Sequence, residues 1–350
     1  MEKAKNKGVL IIENYLPDLY KSRIPLGEYL NNKDFDIYYA SPGRHEYLQL
    51  SLKNRSNFSI VETLQNIMLL HLFIRKNSIK YILPFRHHSN IYAFVLSLLN
   101  SQLIIYPTVT GLGNVYNNDK KVGFRARILT LMYREYSKKR EIIVQNNDIP
   151  RILKVDNYLL VNGSGVPDPE YGRPCQGNKI NFVYAGRLLR SKGVLKSAEL
   201  IGGLYKLGKD VEFRIYGDID QENSASLSKE ELSYLQNLPF VKMCGHVNDK
   251  EQIFADSNIA ILMSEYNEGL SRFLIEALAH KLAVITSDRA GCRELAMHGN
   301  GVHISTDDGF LEFFDKPFNL KDMGQKSYSA FKHYYEDSII FSKYIELLLK

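Results

Sequence analysis

The sequence predicts an α/β protein with two doubly wound, Rossmann-like domains that face a central cleft. Short apolar runs alternate with helix-type segments, the alternation stops near residue 165, and it then restarts. Strands that alternate with helices are typical of parallel sheets, whose ligands lie at the carboxyl ends of the strands. The length of 350 residues fits two domains of about 150 residues each. We place these domains at 1–165 and 166–330, followed by a C-terminal helix over 331–350.

The elements of the first domain follow from short apolar runs bounded by polar residues. The run GVLIIE at 8–13 is typical of a buried strand. Further strands are predicted at 36–40, 82–83 and 103–106, and helices at 23–30 and 90–99.

A change of composition separates the two domains. NGSGV at 162–166 leads into PDPEYGRPCQGNK, which is rich in Gly, Pro and polar residues, as linkers are. Strands of the second domain are predicted at 179–185, 211–216, 259–263 and 283–286.

The composition indicates a globular protein of a reducing compartment. Cys175, Cys244 and Cys292 are far apart and have no metal-ligand spacing, so we expect no disulfide framework. The first residues are too polar for a secretory signal, and no run reaches the roughly 18 apolar residues of a membrane span. We therefore expect a cytoplasmic protein, either soluble or peripheral to a membrane.

Charge is distributed unevenly along the chain. Residues 1–165 hold 23 Lys and Arg against 13 Asp and Glu, a net charge of +10, whereas the remainder carries −4. This asymmetry suggests that the first half faces nucleic acid, anionic lipid or a lipid diphosphate; a solvated basic surface without a partner is the alternative. The chain has no nucleic-acid recognition motif, so we expect no nucleic-acid partner.

Much of the positive charge lies in residues 120–140, which hold eight basic residues and one acid. Phe124, Ile128, Leu131 and Met132 recur there at the spacing of one helical face. A basic amphipathic helix suits an anionic membrane surface. A stripe that faces the core, with its cations extended outward, is the alternative.

Two glutamates in the second domain indicate a binding site. Glu276 is surrounded by apolar residues in a helix-type segment that begins after Ser271, a suitable N-cap. A carboxylate in this setting needs a dedicated partner, which could be sugar hydroxyls, a buried arginine or a backbone amide. Glu268 precedes the helix beside Gly269, where backbone amides can meet an anion or a sugar, unless it is merely a loop residue.

A basic loop, AGRLLRSKG at 185–193, follows the first strand of the second domain. It places Arg187 and Lys192 beside the start of a helix, an arrangement that suits a diphosphate but is also common without one. Asp218 and Asp220 could hold Mg²⁺. Because no third carboxylate is near in sequence, we favour a turn and expect no metal site.

Polar residues also follow the strands of the first domain. The segment TVTGLGN at 108–114 has glycines that allow a ligand to approach the backbone, although a tight turn is the alternative. His87 follows the strand near residue 83. No other metal ligand is evident there, so we favour a polar role at the cleft edge or a satisfied loop histidine.

Together these segments resemble glycosyltransferase family 4, a family of retaining enzymes with the two-domain GT-B fold. The most specific part is the Glu-x7-Glu pattern of Glu268 and Glu276, within EGLSRFLIEALAHKLAVITSDRAGCRE. AGRLLRSKG, YGD, GHVND and NGSGV extend the resemblance over most of residues 155–300. In the first domain, SRIPLGEYL, HHSN and TVTGLGNVY are similar to a subgroup that builds bacterial surface polysaccharides, such as O-antigen, on polyprenyl diphosphate carriers.

The resemblance implies that the second domain binds a nucleotide-sugar. Arg187 and Lys192 would hold the diphosphate and stabilise charge on the leaving nucleotide. Glu268 would contact the donor sugar as a further catalytic residue, and Glu276 would hold the ribose hydroxyls. The other implied donor contacts are Gly186, Val247, Gly269, Leu270 and Ser271. No metal or other cofactor is implied.

The first domain would bind the acceptor, and the helix at 331–350 would return to it. Arg23, His87, Thr110 and Gly111 are expected on the acceptor side. Thr110 stands where many relatives have a histidine near the sugar, and ENYLPDL at 13–19 lacks their Gly-rich loop. Ser271 also replaces a frequent proline. These departures bear on the identity of the sugar and on the acceptor.

The sequence therefore predicts transfer of a hexose or N-acetylhexosamine, with UDP as the donor nucleotide. The acceptor would be a polyprenyl-diphosphate-linked saccharide at the inner face of a bacterial membrane. A GDP-mannose-type transferase and a nucleotide-sugar epimerase of the same fold are the alternatives among enzymes. A non-catalytic, membrane-associated assembly protein is the alternative of another class, which intact Glu268, Glu276, Arg187 and Lys192 disfavour.

Overall fold

The computed structural model describes residues 7–53, 59–116, 123–169, 179–221, 223–267 and 269–350. The chain forms two compact units. The first contains Met1–Gly165 and Ile340–Lys350, and the second contains Val166–Ile339. Each unit is built on its own parallel sheet with helices, so the predicted α/β class with two Rossmann-like domains is confirmed.

Eight parallel strands form the sheet in the described part of the first unit. They are β1 (Gly8–Glu13), β2 (Asp36–Pro42), β3 (Leu50–Leu52), β4 (Tyr81–Phe85), β5 (Ile104–Ile105), β6 (Thr108–Val109), β7 (Ile142–Val144) and β8 (Tyr158–Leu160). Their order is β3-β2-β1-β4-β6-β7-β8, with β5 also paired to β4. The sequence direction therefore reverses between β1 and β4, as it does in doubly wound sheets.

Helices cover both faces of this sheet. They are α1 (Leu16–Asp18), α2 (Ile24–Asn31), α3 (Ile60–Lys76), α4 (Arg86–Leu99), α5 (Phe124–Lys139) and α6 (Asp148–Leu153). Successive residues of β1 face opposite sides, so Leu10 and Ile12 belong to one core and Val9 and Ile11 to the other. The α3, α4, α5 and α6 helices share the core of Leu10, whereas α2 shares that of Val9.

The second unit has the strand order β11-β10-β9-β12-β13-β14. Its strands are β9 (Ile180–Ala185), β10 (Val211–Tyr216), β11 (Val241–Gly245), β12 (Ile259–Leu262), β13 (Ala283–Ser287) and β14 (Gly301–Ile304). Its helices are α7 (Val194–Lys206), α8 (Lys229–Gln236), α9 (Lys250–Phe254), α10 (Arg272–Ala279), α11 (Asp307–Asp315) and α12 (Leu320–Tyr334). The order reverses between β9 and β12, the strands whose carboxyl ends carry the predicted donor residues.

The C-terminal segment is divided differently from the single helix expected at 331–350. Helix α12 ends at Tyr334, and α13 (Asp337–Leu349) begins after a two-residue break. From Ile340 onward α13 belongs to the first unit, where Tyr344 and Leu347 are buried in the core of Val9. The Tyr106 hydroxyl donates a hydrogen bond of 3.0 Å to the Leu347 carbonyl, which fixes α13 on that sheet.

Several short strands were not predicted, namely β3, β7, β8, β11 and β14. Segment 108–114, expected as a loop, begins with the two residues of β6, and only Ile104–Ile105 of the run 103–106 is a strand. Within the described ranges, no helix is both long and apolar enough to cross a bilayer.

Candidate functional site

Two loops leave the sheet of the second unit at the point where its strand order reverses. One follows β9 and contains Arg187 and Lys192; the other follows β12 and contains Gly269–Ser271. Crevices that bind ligands in parallel α/β sheets lie outside the carboxyl ends of the strands at such reversals. The sheet therefore places the two predicted donor segments at one edge, although they are about 80 residues apart in sequence.

Hydrogen bonds tie these loops together. The Glu265 amide donates to the Ser191 carbonyl at 3.0 Å, and the Ser287 hydroxyl donates to the Ser264 carbonyl at 2.7 Å. Gly193 has φ +67°, and a Cβ added there would lie 1.8 Å from the Met263 carbonyl oxygen. Only glycine permits this approach, which brings the start of α7 against the end of β12.

Glycines also line the carboxyl edge of β9, β10 and β11. The Gly186 amide donates to the Tyr216 carbonyl at 3.0 Å, and the Gly217 amide donates to the Gly245 carbonyl at 2.8 Å. Gly217 has φ +130°, and a Cβ there would lie 1.9 Å from the Gly186 carbonyl oxygen. The main chain at this edge is thus fixed by its own hydrogen bonds and carries no side chains at three successive strand ends.

Arg187 extends from an anchored backbone into solvent. The Tyr184 hydroxyl donates to the Arg187 carbonyl at 2.7 Å, while the guanidinium lies 2.9 Å from the Asp220 carboxylate. The side chain of Arg187 is 45% exposed. An exposed ion pair is held weakly, so the guanidinium can exchange its carboxylate for another anion at small cost.

Lys192 lies on the same loop, with its ammonium 5.3 Å from the ring centre of Tyr266 in the β12 loop. This places the second predicted cation beside the loop that leads toward α10. The Asp218 carbonyl accepts a hydrogen bond of 3.0 Å from the Leu188 amide, so Asp218 joins the segment after β10 to the β9 loop through its main chain. In the described ranges, no group of three or more His, Cys, Asp or Glu is arranged to hold a metal ion.

Glu276 is buried and has two cationic partners. Its carboxylate oxygens lie 3.0 Å from the Arg272 Nε and 2.8 Å from the Lys250 Nζ. Arg272 is one turn earlier on α10, whereas Lys250 begins α9, just after the loop that contains Val247. The dedicated partner that burial requires is therefore present, and it brings Val247's loop next to α10.

The end of α10 is held by His280. Its Nδ1 lies 2.7 Å from the Glu276 carbonyl, and its ring lies 4.6 Å from that of Phe254. Burial lowers the pKa of His280, so the neutral ring donates Nδ1–H to the carbonyl. The backbone of Glu276 is thus fixed along with its carboxylate.

The loop before α10 is only partly described, and Glu268 lies outside the described residues. Ser271 occupies the predicted N-cap position but makes no side-chain capping bond, and its amide donates to the Gly291 carbonyl at 3.1 Å. Because the Ser271 amide already donates to a main-chain carbonyl, it is not available to the donor as the resemblance implied. Leu270 packs partly buried against the core of the second unit, and Gly269 is half-exposed.

In the first unit, the strand reversal between β1 and β4 carries a buried ion cluster that sequence reasoning missed. Glu13 is fully buried, 3.1 Å from the Arg23 Nε and 3.2 Å from the Arg86 Nε, and Arg86 also pairs with Asp18. Burial raises the pKa of Glu13, which the two guanidiniums oppose. The sequence does offer one signal for this cluster, because Glu13 is a charged residue at the end of the apolar run that forms β1.

Arg23, expected on the acceptor side, lies within this cluster. It is 4% exposed, and its guanidinium lies 3.7 Å from the ring centre of Phe85. Arg86 is 32% exposed and has φ +69°, which is unusual for a residue with a side chain. Of the two arginines, Arg86 is the one that a ligand can reach.

His87 connects the remaining acceptor-side residues. Its Nε2–H donates to the Leu112 carbonyl at 3.2 Å, and its Nδ1 accepts from the Tyr133 hydroxyl at 2.8 Å. The Tyr133 hydroxyl in turn accepts from the Asn90 amide at 2.9 Å. Burial lowers the pKa of His87, so the ring is neutral with both nitrogens used. His87 lies in the first turn of α4, not in a loop as expected, and it holds the loop containing Thr110 and Gly111 at the end of β6 through the Leu112 carbonyl.

The fold is the GT-B fold, and the comparisons with known proteins show that the chain is a glycosyltransferase. Residues 173–316, which cover most of the second unit, match the protein family described as Glycosyl transferases group 1. The match spans the β9 loop with Arg187 and Lys192 as well as helix α10 with Glu276.

Two proteins named as glycosyltransferases, and a third whose structure contains UDP and glucose, are similar to this chain over most of its length. The capsular polysaccharide biosynthesis glycosyltransferase CapM of Staphylococcus aureus is 21% identical in an alignment of 304 positions that covers 78% of this chain and 77% of CapM. A glycosyltransferase structure from Rickettsia africae has a TM-score of 0.76 at 17% identity, covering 99% of this chain and 98% of that one. Anabaena HepE in complex with UDP and glucose has a TM-score of 0.73 at 12% identity, covering 98% and 99%.

Proposed function

We propose that this enzyme transfers a hexose or N-acetylhexosamine, with retention of configuration, from a UDP-sugar to a polyprenyl-diphosphate-linked saccharide. The enzyme would act peripherally at the cytoplasmic face of a bacterial membrane, in the synthesis of a capsule- or O-antigen-type polysaccharide. The observation that carries the donor half of the proposal is that the loop of Arg187 and Lys192 and the segment leading to Glu276 follow the paired strands β9 and β12, where the strand order of the second unit reverses.

These three side chains match the chemistry of a nucleoside diphosphate. Arg187 and Lys192 project from a loop whose backbone is anchored, so both cations start from a fixed point on the same side of the loop's parent strand end. When the bond between the sugar and the diphosphate breaks, negative charge develops on the diphosphate, and fixed cations stabilise it. The Glu276 carboxylate, held by Arg272 and Lys250, can accept hydrogen bonds from ribose hydroxyls.

The structural relative HepE, described in complex with UDP and glucose, supports a UDP-linked hexose as donor. CapM, named for capsular polysaccharide biosynthesis, supports the polysaccharide assignment. Glu268 would contact the donor sugar, as the family resemblance implies. The reaction would need no metal ion, because the two cations supply the positive charge for the leaving group.

The first unit supports the acceptor half of the proposal. Its half of the sequence has a net charge of +10, which suits a diphosphate carrier in an anionic leaflet. Arg86, Thr110 and Gly111 follow the adjacent strands β4 and β6, where an acceptor can meet the carboxyl edge of the sheet. Thr110 can donate a hydrogen bond there but offers no imidazole for proton transfer.

The proposal is tested with a panel of nucleotide-sugars, scored by thermal shift and turnover, on wild type, Arg187→Ala, Glu268→Ala and Arg190→Ala. Arg190 is the matched control, because it lies on the same loop but pairs with Glu231. One UDP-sugar should stabilise wild type and Arg190→Ala, and should stabilise Arg187→Ala much less. Glu268→Ala should bind UDP but transfer poorly. Anomeric configuration of the product, determined by NMR, should match that of the donor.

Release of UDP should require a polyprenyl-diphosphate-linked acceptor. Selective stabilisation by GDP-mannose would replace the proposed donor, and sugar interconversion without an acceptor would identify an epimerase. If no nucleotide or nucleotide-sugar raises the melting temperature, the enzyme is not acting on this donor class and the assembly-protein hypothesis takes its place.

A further inference from the structure

Helix α3 exposes an apolar face along its whole length. Ile60, Leu64, Met68 and Leu72 recur every four residues and are 69%, 60%, 65% and 54% exposed. The opposite face of the helix is buried in the core of Leu10, so the exposed apolar side chains take no part in that core. A helix with one face in the core normally presents polar residues on the other, and a large exposed apolar patch marks an interaction surface.

Helix α5 also exposes apolar side chains, and their exposure tests whether its apolar stripe faces the core. Phe124, Ile128 and Leu131 are 78%, 50% and 57% exposed. Met132, which was grouped with them, is instead buried in the core. A stripe that faces the core is therefore wrong for three of the four residues. Lys120 and Lys121, part of the same basic segment, lie outside the described residues.

The two exposed faces belong to one layer of the first unit. Helix α3 contacts α4, and α4 contacts α5, on the same side of the sheet. At its end, α4 adds Leu98 and Leu99, which are 66% and 60% exposed. We call the exposed residues of α3, the end of α4 and α5 the helical face.

The helical face is strongly basic. Helix α5 carries exposed Arg125, Arg127, Arg134, Lys138 and Lys139, and α3 ends with exposed Arg75 and Lys76. The acids of these two helices are Glu62 and Glu135, and Glu135 pairs with Lys138. A second copy of the chain docked face to face would place like charges together, which is unfavourable. Apolar residues flanked by cations suit an anionic lipid surface.

We propose that the helical face docks on a leaflet containing anionic lipid, with α3 supplying the larger apolar part and α5 most of the charge. Aliphatic side chains of both helices would insert at the level of the headgroups while the arginines and lysines contact lipid phosphates. This partner rests on the proposed function only in that a lipid-linked acceptor requires the enzyme to work at a membrane.

Hydrogen bonds connect this face directly to the candidate acceptor loop. The Tyr116 hydroxyl donates to the Ala126 carbonyl of α5 at 3.2 Å, and Tyr133 of α5 reaches the Leu112 carbonyl through His87. Docking through α5 would therefore hold the loop of Thr110 and Gly111 near the surface on which a lipid-linked saccharide is presented.

The test is co-sedimentation with phosphatidylcholine vesicles and with vesicles that contain about one third phosphatidylglycerol. The apolar variant combines Leu64→Gln, Met68→Gln and Leu72→Gln, because glutamine preserves helix propensity at exposed positions. The charge variant combines Arg125→Gln, Arg127→Gln and Arg134→Gln. Circular dichroism and UDP binding by the intact second unit check that each variant is folded.

Matched controls change the same number of exposed residues in the second unit. Leu207, Tyr234 and Met297, 62%, 52% and 65% exposed, are changed to Gln as the apolar control. Lys206, Lys209 and Lys229, all exposed, are changed to Gln as the charge control. Wild type and both controls should bind the anionic vesicles, and each face variant should bind them at least about tenfold more weakly.

The proposal is overturned if wild type binds neither vesicle, or if folded face variants bind as well as wild type. It is also overturned if wild type is a dimer that the apolar variant dissociates, since the face would then bind a second copy. Transfer to a detergent-soluble acceptor is measured in parallel. If wild type binds the vesicles but does not transfer sugar to this acceptor, the proposed function is wrong and the docking face stands. If wild type transfers sugar but does not bind the vesicles, the docking face is wrong and the proposed function stands.

Discussion

Gly193 lies directly against Met263: a Cβ on Gly193 would be 1.8 Å from the Met263 carbonyl oxygen, in a backbone with φ +67°. This contact joins the loop that carries Arg187 and Lys192 to the strand that leads to Glu276. The position of the candidate diphosphate site relative to the candidate ribose site therefore depends on the absence of one methyl group.

Replacing Gly193 with alanine should destabilise the second unit and weaken nucleotide binding. We expect a loss of about 3 kcal/mol or more in the free energy of unfolding, because strain and a backbone clash combine. Gly208→Ala is the control, since Gly208 has φ +77° but no atoms near its missing Cβ. It should lose only about 1 kcal/mol, the cost of the left-handed conformation. Urea unfolding monitored by hydrogen exchange would measure the free energy of unfolding of the second unit in both variants. Equal losses in Gly193→Ala and Gly208→Ala would contradict the clash.

Asp220 competes with the donor for Arg187 at the proposed diphosphate site. Asp220→Asn should therefore raise the affinity for UDP by about 2- to 5-fold, since exposed ion pairs are weak. Asp218→Asn makes the same charge change two residues away, where the main-chain carbonyl provides the contact to Leu188, and should leave the affinity unchanged. Isothermal titration with UDP separates the two. A weaker affinity in Asp220→Asn would show that Asp220 positions Arg187 for binding.

Glu276 and Arg187 should contribute to different parts of the donor. Glu276→Gln should weaken uridine and UDP by a similar factor of about tenfold, because a ribose contact is common to both. Arg187→Ala should weaken UDP while leaving uridine unchanged. Ligand-observed NMR measures both dissociation constants. If Glu276→Gln affects UDP alone, the carboxylate acts through the cations that surround it and not through the ribose.

Acid should destabilise the first unit through His87. Its folded pKa is lowered by burial, so as pH falls below the unfolded value near 6.5 the unfolded chain binds a proton that the folded ring resists. The contribution of the neutral His87 ring to the free energy of unfolding is thus complete above that pH and decreases below it. His87→Gln should reduce the loss between neutral and mildly acidic pH by up to about 1 kcal/mol.

Hydrogen exchange of first-unit peptides measures this pH dependence separately from the second unit. The raised pKa of Glu13 acts in the opposite direction, but it is common to both proteins and cancels in the comparison. His298→Gln is the control: burial also lowers the pKa of that histidine, but it lies in the second unit. A first-unit pH dependence that survives in His87→Gln would contradict the assignment.

Long apolar runs and the linker composition were enough to predict β1, β9, β10, β12 and β13 as well as the division of the protein into two sheets. Strands such as β3 and β7, of three residues each, carry too little periodicity to be recognised. The break at Tyr335–Glu336 was also missed, because α12 and α13 are both rich in helix-forming residues and the break depends on where each helix packs.

The candidate site was predictable to different degrees in the two units. Arg187, Lys192 and Glu276 occur in a recognisable pattern, and Arg272 is an obvious partner of Glu276 at four residues' separation on a helix. Lys250 has no sequence signal, because it reaches Glu276 only through the arrangement of α9 and α10. Arg86 was missed for the same reason, since its pairing with Glu13 depends on β1 and β4 being neighbours.

The place of α13 in the first unit has a consequence for how the protein is made. Residues 340–348 complete the core of β1, so the side chains on that face of the sheet are covered only in part, by α2 and the segments beside it, until the ribosome has passed these residues. The second unit, by contrast, is contained in one continuous stretch and can fold as it emerges. During synthesis, the amino-terminal unit would therefore be the last to finish folding, and its exposed apolar strands would depend on chaperones for the time needed to translate about half of the chain.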